Sequence, residues 1–225
     1  MSAALTRRTR WVAGSAVALA LLFAGAATVA SARGDGAPHA PRTPSAQSAD
    51  AGFARDMAVH HQQAVEMSFI VRDRTRDEDV RRLAYDIANT QANQRGMLLG
   101  WLDLWELPKT APEGQGPMAW MPGAHGAHGA HSTHGTDHDG ALMPGMATRT
   151  ELKRLGEADG RQAEILFLQL MTDHHEGGVT MARGCAGQCT VAVEKRLARG
   201  MVEAQQSELD LMADMLAARG AAPRS

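Results

Sequence analysis

Two histidine pairs, each with a methionine one helical turn away, are the residues of this sequence best suited to chemistry. The first pair lies in DMAVHHQQAVEM at residues 56–67 and the second in LMTDHHEGGVTM at residues 170–181. Thioether sulfur is a soft donor and imidazole a borderline one, so together they suit Cu(I), while imidazole also holds Cu(II). The candidate ligands are Met57, His60, His61 and Met67 in the first segment and Met171, His174, His175 and Met181 in the second.

Helical spacing brings these donors together, but the same pattern has a structural explanation. Met57 precedes His60 and His61 by three and four residues, so in a helix the three side chains lie on neighbouring turns and can share one ion. Alternatively, methionine fills irregular gaps in helical cores, and a buried histidine is commonly held by a hydrogen bond. Adjacent histidines that recur in register with methionine favour metal ligation, and the structural explanation stays open.

The two segments belong to an internal repeat. A shift of 114 positions aligns Met57 with Met171 and both histidine pairs with each other, and without a gap it also aligns Gln91 with Gln205. Within each copy, the histidines and apolar residues fall on one stripe of a helix with about 3.6 residues per turn. Short links then join the helices of each copy as antiparallel pairs. The sequence therefore predicts an all-α fold, a four-helix bundle built from a duplicated helical hairpin.

The second helix of each predicted hairpin carries polar residues on an otherwise apolar face. In segments 77–106 and 190–218 these residues are Gln91, Gln94, Gln205 and Glu208. They either orient imidazole N–H groups around a metal or lie at a solvated end of the bundle. Asp56, four residues before His60, is a further candidate for orienting an imidazole. Two similar hairpins are expected to pack about an approximate two-fold axis, where the two Met/His sets either converge or form two equivalent sites.

The first 50 residues differ in composition from the rest. TRRTR, an apolar run and the small-residue site Ala30-Ser31-Ala32 have the layout of a secretory signal. The length of the apolar run leaves an uncleaved membrane anchor as the alternative. We assign residues 1–32 to this signal peptide or anchor, 33–50 to a flexible linker and 51–218 to the bundle, with hairpins at 51–107 and 150–218. The bundle is expected to lie outside the cytoplasm.

A histidine-rich insert at residues 108–148 separates the hairpins. Its glycines disfavour a stable helix, and its composition predicts a mobile loop that collects soft or borderline cations weakly, or else a linker without a chemical role. The candidate auxiliary ligands are His125, His128, His131, His134 and His138. A short helix is expected to begin at Thr150, with Thr150-Glu151 as its start signal.

Two cysteines, Cys185 and Cys189, lie at the predicted turn between the last two helices. In an exported protein an isolated pair is expected to form a disulfide. A thiolate site for Cu(I), or a pair that cycles between the two states, is the alternative.

Charge and missing motifs exclude several function classes. The 23 basic and 25 acidic side chains give a net charge of −2, and they form no basic patch for nucleic acid. A ferritin-type di-iron centre needs Glu-x-x-His motifs, but no acidic residue stands three positions before a histidine. H-E-x-x-H, G-x-S-x-G and phosphate-binding glycine loops are also missing. We therefore expect a non-enzymatic protein, with a copper oxidase or reductase as an alternative that no motif supports.

FARDMAVHHQQAVEM, MPGM and FLQLMTDHHEGGVTMA give the chain a resemblance to the domain of unknown function 305 family over about residues 50–218. Members of that family are similar to ferritin-like four-helix bundles, and some are exported copper-binding proteins linked to copper tolerance. The resemblance implies copper binding through the eight methionines and histidines named above. Gly178 stands where the first copy has Ala64, a difference expected to matter little.

These observations lead to one hypothesis and one alternative. The hypothesis is an exported copper-binding protein that buffers, stores or delivers copper outside the cytoplasm, with Cu(I) favoured. The alternative is a helical interaction module of the cell envelope whose histidine pairs are structural. The expected partner is a metal ion, and the N-terminal segment is the candidate for a membrane tether; the sequence does not fix the oligomeric state.

Overall fold

The computed structural model of the protein describes residues 43–121 and 139–224 and is all-α over these ranges, which confirms the predicted fold class. The helices described there are α1 (Ala49–Arg74), α2 (Glu78–Leu104), α3 (Arg149–Glu157), α4 (Gly160–Gln188) and α5 (Ala192–Ala218). The four long helices form two hairpins, α1 with α2 and α4 with α5, and α1 packs against α4 between them.

Some of the predicted features lie outside the described residues. These are the signal or anchor of residues 1–32, most of the linker 33–50, and the five histidines of the insert. Within the described ranges, none of the helices combines the length and apolar character that crossing a membrane requires.

Polar side chains fix where the first three helices begin. The Ser48 hydroxyl accepts a hydrogen bond from Ala51 N at the start of α1, and Asp77 does the same for α2. At α3 a capping box joins Thr148 and Glu151, which satisfies the free N–H groups of the first turn. The helix therefore begins one residue before the predicted Thr150, because Thr148 has the three-residue spacing to Glu151 that a capping box needs.

Contacts at both ends show that α1 and α4 run antiparallel. At the start of α1, Asp50 Oδ1 accepts hydrogen bonds from the backbone N–H groups of Thr190 (2.8 Å) and Val191 (2.7 Å), just after α4 ends. At the end of α1, Thr75 donates its hydroxyl to Glu164 near the start of α4, at 2.6 Å. Asp50 and Glu164 are equivalent under the 114-residue shift, so each hairpin holds the turn of the other, as expected for an approximate two-fold arrangement.

The buried residues form two clusters along the bundle, one on each side of the histidines. One cluster contains Phe53, Ala58 and Leu98, and the other contains Phe167 and Ile87. The repeat-related Phe53 and Phe167 are both fully buried. The histidine layer therefore has an apolar cluster on both sides, which keeps water from it.

The MPGM segment, residues 143–146, lies directly on α4. The amide of Gln63 in α1 anchors its end, because it both donates to Ala147 O (2.9 Å) and accepts from Ala147 N (2.7 Å). Gly177 allows the close approach, since a Cβ atom there would lie 2.0 Å from Pro144 O. We call residues 143–147 the strap.

Replacing Gly177 with alanine should destabilise the protein. The new methyl group would meet the backbone of the strap, and overpacking of this kind typically lowers the free energy of unfolding by about 1–3 kcal/mol. Gly200→Ala in α5 is the matched control, since a Cβ there has no neighbour within 4 Å among the described residues and alanine is the better helix former by about 1 kcal/mol. Urea unfolding of both variants measures the contrast; equal stabilisation would contradict the close contact of the strap.

Candidate metal centre

Four imidazoles from α1 and α4 meet at the contact between the hairpins. The side chains of His60, His61, His174 and His175 are all fully buried. The rings of His60 and His174 lie 3.8 Å apart between centroids and are tilted by 32°. Both histidine pairs therefore face the interior of the bundle, as the sequence predicts. They do so because each pair lies on the apolar stripe of its helix.

Side chains of α2 and α5 hold the second histidine of each pair. His61 Nε2 donates a hydrogen bond to Gln94 Oε1 at 2.9 Å. His175 Nε2 donates to Glu208 Oε2 at 2.7 Å. Gln94 and Glu208 are repeat-equivalent positions, so the two hairpins position these imidazoles in the same way.

Backbone carbonyl groups hold the first histidine of each pair. His174 Nε2 donates to the carbonyl oxygen of His60 at 3.0 Å. His60 Nε2 donates to the carbonyl oxygen of Pro144 in the strap at 3.3 Å. The two contacts differ because the strap covers only one side of the centre.

These acceptors fix the tautomer of the histidines. Because each Nε2 faces an oxygen acceptor, it carries the proton, and in a neutral imidazole the other nitrogen then carries a lone pair. The Nδ1 atoms of His60, His61, His174 and His175 are all buried and have no hydrogen-bond partner among residues 43–121 and 139–224. Buried polar atoms are normally paired, so four unpartnered lone-pair nitrogens in one layer are the feature of this site that suits a metal ion.

Burial also disfavours protonation of the imidazoles. Burial is the main cause that lowers the pKa of His60 to about 4. Burial, followed by the neighbouring His60, lowers the pKa of His61 to about 3. The pKa of His174 also lies well below its ordinary value, chiefly because of burial. These three imidazoles are therefore neutral at pH 7, the state in which histidine binds metals.

The structure separates the four polar residues predicted to orient imidazoles. Gln94 and Glu208 contact the rings, whereas Gln91 and Gln205 do not. Both have buried side-chain atoms without a hydrogen-bond partner among the described residues. Gln205 lies instead against Gly178, where a Cβ atom would come within 2.4 Å of its Oε1. The difference between Gly178 and its counterpart Ala64 therefore has a packing role that the sequence did not reveal.

Asp56 does not orient His60, and this expectation was wrong. Its Oδ2 accepts hydrogen bonds from Met118 N (2.7 Å) and from Trp120 Nε1 (2.8 Å). Burial is the main cause that raises its pKa. Asp56 anchors the segment after α2 onto α1, a contact between distant parts of the chain that helical spacing cannot predict.

Each buried cluster contains one predicted methionine ligand from α1 and one from α4, so the two methionines of one helix lie in different clusters. Met57 and Met181 lie in one buried cluster, and Met67 and Met171 lie in the other. The antiparallel arrangement of α1 and α4 causes this, since the residue before one histidine pair comes level with the residue after the other. The cluster of Met57 also includes methionines that the sequence did not place near the centre: Met118, Met143, Met146 and Met201. Their density around MPGM was the available signal.

Among residues 43–121 and 139–224, the histidines do not gather into a three-nitrogen site. In these ranges the one group of three His, Cys, Asp or Glu ligand atoms within 4.8 Å of one another is Cys185, Cys189 and Glu194. The rings of His174 and His175 lie 6.3 Å apart between centroids. The described histidines therefore do not supply three ligand nitrogens by themselves, and methionine is the additional donor type present in number in the neighbouring clusters.

The two remaining groups of predicted auxiliary ligands have different outcomes. His125, His128, His131, His134 and His138 lie outside the described residues. Cys185 and Cys189 form a disulfide, in agreement with the preferred interpretation of the pair.

Fold and site together define an all-α bundle in which two repeat-related hairpins enclose a layer of buried imidazoles between methionine-containing clusters. The chain belongs to the DUF305 family, a domain of unknown function that matches residues 50–216. No curated protein matches the chain.

Solved structures share the fold. A DUF305 protein from Streptomyces coelicolor, assigned as secreted, is 63% identical with a TM-score of 0.70, over 80% of this chain and 99% of that one. A DUF305 fragment from Deinococcus radiodurans is 27% identical with a TM-score of 0.58, over 74% and 94% of the two chains. CopM in its Cu(I)-bound form is 18% identical with a TM-score of 0.54, over 74% and 94%; at this identity the likeness shows the fold alone.

Acid should destabilise the metal-free protein through its buried histidines. In the unfolded chain a histidine takes up a proton near pH 6.5, whereas folded His60 and His61 stay neutral down to about pH 4 and 3. Each such histidine therefore lowers the free energy of unfolding by about 1.4 kcal/mol per pH unit below about pH 6.5. Glu194 has the opposite effect on the free energy of unfolding, because its pKa is raised to about 9 in the folded protein. Its contribution cancels roughly that of one histidine.

The variant His61→Gln isolates one of these contributions. Urea unfolding of metal-free protein at several pH values between about 6.5 and 4.5 should give a shallower dependence for the variant, by about one proton. A pH dependence equal to that of the unaltered protein would show that folded His61 titrates like a solvated imidazole.

Proposed function

We propose that this protein binds copper outside the cytoplasm, without catalysis, and so buffers, stores or delivers it. The observation that carries the proposal is the set of four buried Nδ1 atoms that have no hydrogen-bond partner in the part of the chain that the structure describes. Each is left bare because the Nε2 atom of the same ring meets an oxygen acceptor. A purely structural histidine would be expected to use both of its nitrogens when it is fully buried.

The donors of the centre favour Cu(I) over a divalent ion. Imidazole and thioether are neutral, and the desolvation penalty of an ion in a low-dielectric interior rises steeply with its charge. Glu208, which contacts His175 at 2.7 Å, is the one carboxylate bonded to these rings among the described residues. A singly charged, soft ion therefore fits this set best, while the imidazoles leave Cu(II) as a second oxidation state that the protein can hold.

The relatives support two parts of the proposal, copper binding and a location outside the cytoplasm. CopM has been solved in Cu(I)-bound and Cu(II)-bound forms, at 18% and 20% identity to this chain, so this fold accommodates copper in another protein. The Streptomyces coelicolor relative, 63% identical, is assigned as secreted, which supports a location outside the cytoplasm and agrees with the signal-like residues 1–32.

Burial of the centre supports a binding role rather than catalysis. All four imidazoles are inaccessible to solvent, so a substrate larger than an ion would not reach them in this conformation. Storage, buffering and delivery all use such a closed site, because apolar surroundings protect Cu(I) from water and oxidants.

Replacing methionine sulfur tests the ligand set with little change in packing. In a background where the five insert histidines are changed to asparagine, Met57→Leu combined with Met181→Leu should weaken Cu(I) binding by about tenfold or more. Leucine and methionine have similar volumes, so the free energy of unfolding of the metal-free variant should fall by less than about 1.5 kcal/mol per site. Competition with a colorimetric Cu(I) chelator measures the affinity.

Met97→Leu is the matched control. Because Met97 is exposed, this substitution should leave Cu(I) binding unchanged. His60→Ala combined with His61→Ala should reduce the stoichiometry in the same background. Cu(I) should also raise the unfolding temperature of the unaltered centre, since a ligand specific for the folded state stabilises it. No change in stoichiometry in the histidine variant and no thermal shift would reject the proposal and favour a structural role for the pairs.

A further inference from the structure

A second group of ligand-type side chains lies where α4 ends and α5 begins. Cys185 and Cys189 belong to the end of α4, and Glu194 lies in the first turn of α5. All three are buried, and their sulfur and carboxyl oxygen atoms lie within 4.8 Å of one another. The group is separate from the histidine layer, which occupies the middle of α1 and α4.

Glu194 is the unusual member of this group. Among the described residues neither of its oxygens accepts a hydrogen bond from an N–H group, and its side-chain partner is the carboxyl group of Asp50, a second acid. Its charged neighbour is Asp50, and burial first and Asp50 second raise the pKa of Glu194 to about 9. Asp50 itself accepts hydrogen bonds from the backbone N–H groups of Thr190 and Val191, so it already stabilises the turn between α4 and α5. Glu194 and Asp50 are thus two neighbouring buried acids, and no ion pair to a basic side chain is seen at either within the described residues, so a metal cation could compensate their negative charge.

The first hairpin shows that the turn does not need these residues. It closes in the same way, with a C-cap residue in extended conformation after α1 and α2 beginning at Glu78. Under the 114-residue shift, the counterparts of the three ligand-type residues are Val71, Thr75 and Val80. Val71 and Val80 are ordinary core residues, so the fold alone does not account for the cysteines and the acid in the second hairpin.

We propose that the reduced Cys185–Cys189 pair and Glu194 form a second metal site, which takes a divalent cation of the zinc class. Two thiolates and a carboxylate are ligands that zinc commonly uses. They carry negative charge beside Asp50, and a doubly charged cation compensates that charge better than Cu(I) does. This proposal does not depend on copper binding at the histidines, whose neutral donors favour the opposite choice.

Disulfide formation and cation binding exclude each other at this site. The chain is made with thiols, and closing the disulfide forms the S–S bond while two electrons and two protons pass to a disulfide oxidant. A dithiol reverses the step: it becomes a disulfide itself and returns two electrons and two protons to the two sulfurs. The cation then displaces the thiol protons and the Glu194 proton. The site can thus bind a cation while the cysteines are thiols, and it cannot do so once the disulfide has formed.

Cobalt(II) tests the site, because its bonds to thiolate sulfur give a charge-transfer absorption in the near ultraviolet that histidine ligands do not give. The full chain, reduced with dithiothreitol that is then removed without oxygen, should show this absorption with one equivalent of cobalt, and zinc should abolish it. The oxidised chain should show none. Cys185→Ser should remove or strongly weaken the absorption, and Glu194→Gln should weaken cobalt affinity by about tenfold or more.

Glu203→Gln is the matched control, because Glu203 is an exposed acid on the same helix, and its affinity should equal that of the unaltered chain. Far-ultraviolet circular dichroism should show that the reduced chain and each variant remain helical. Absence of the absorption in the reduced chain, loss of helicity on reduction, or unaltered affinity in Glu194→Gln would each overturn the proposal.

Discussion

The contact between α1 and α4 is the constraint on which this structure depends. It buries four imidazoles in a place where water cannot satisfy them, so each ring needs a protein acceptor for its N–H group. Two backbone carbonyls, an amide and a carboxylate provide those acceptors on Nε2. Because all four acceptors meet the Nε2 atom of their ring, the four Nδ1 lone pairs remain, and the proposed metal binding rests on how the histidines are anchored.

Duplication explains why the anchoring is consistent, and its breaks explain why the two halves differ. Asp50 and Glu164 hold each other's hairpin turns, which keeps α1 and α4 antiparallel. The strap, however, exists once, so Pro144 O serves His60 while the backbone of α1 serves His174. Gln94 has a side-chain amide where its counterpart Glu208 has a carboxyl group. The two histidine pairs therefore share a geometry but not an electrostatic environment.

Periodicity was sufficient to predict the helices, their buried faces and the inward orientation of both histidine pairs, because these depend only on the spacing of residues within one helix. It could not choose between Gln91 and Gln94, which lie about one turn apart on the same stripe, so the residue that reaches the imidazole depends on how the helices pack. The prediction that Asp56 orients His60 was wrong for a related reason. Its partners Met118 and Trp120 belong to a loop whose path cannot be predicted from local sequence spacing.

The charges around the two proposed metal sites favour different ions in one small bundle. Around the histidines, neutral nitrogen and sulfur donors make a doubly charged ion expensive to bury. At the second hairpin turn, Glu194 lies beside Asp50, and removing protons from the cysteines would add further negative charge, so a singly charged ion would leave much of it uncompensated. The first hairpin has Val80 in place of Glu194, so this contrast is a property of the second hairpin's sequence and not of the shared fold.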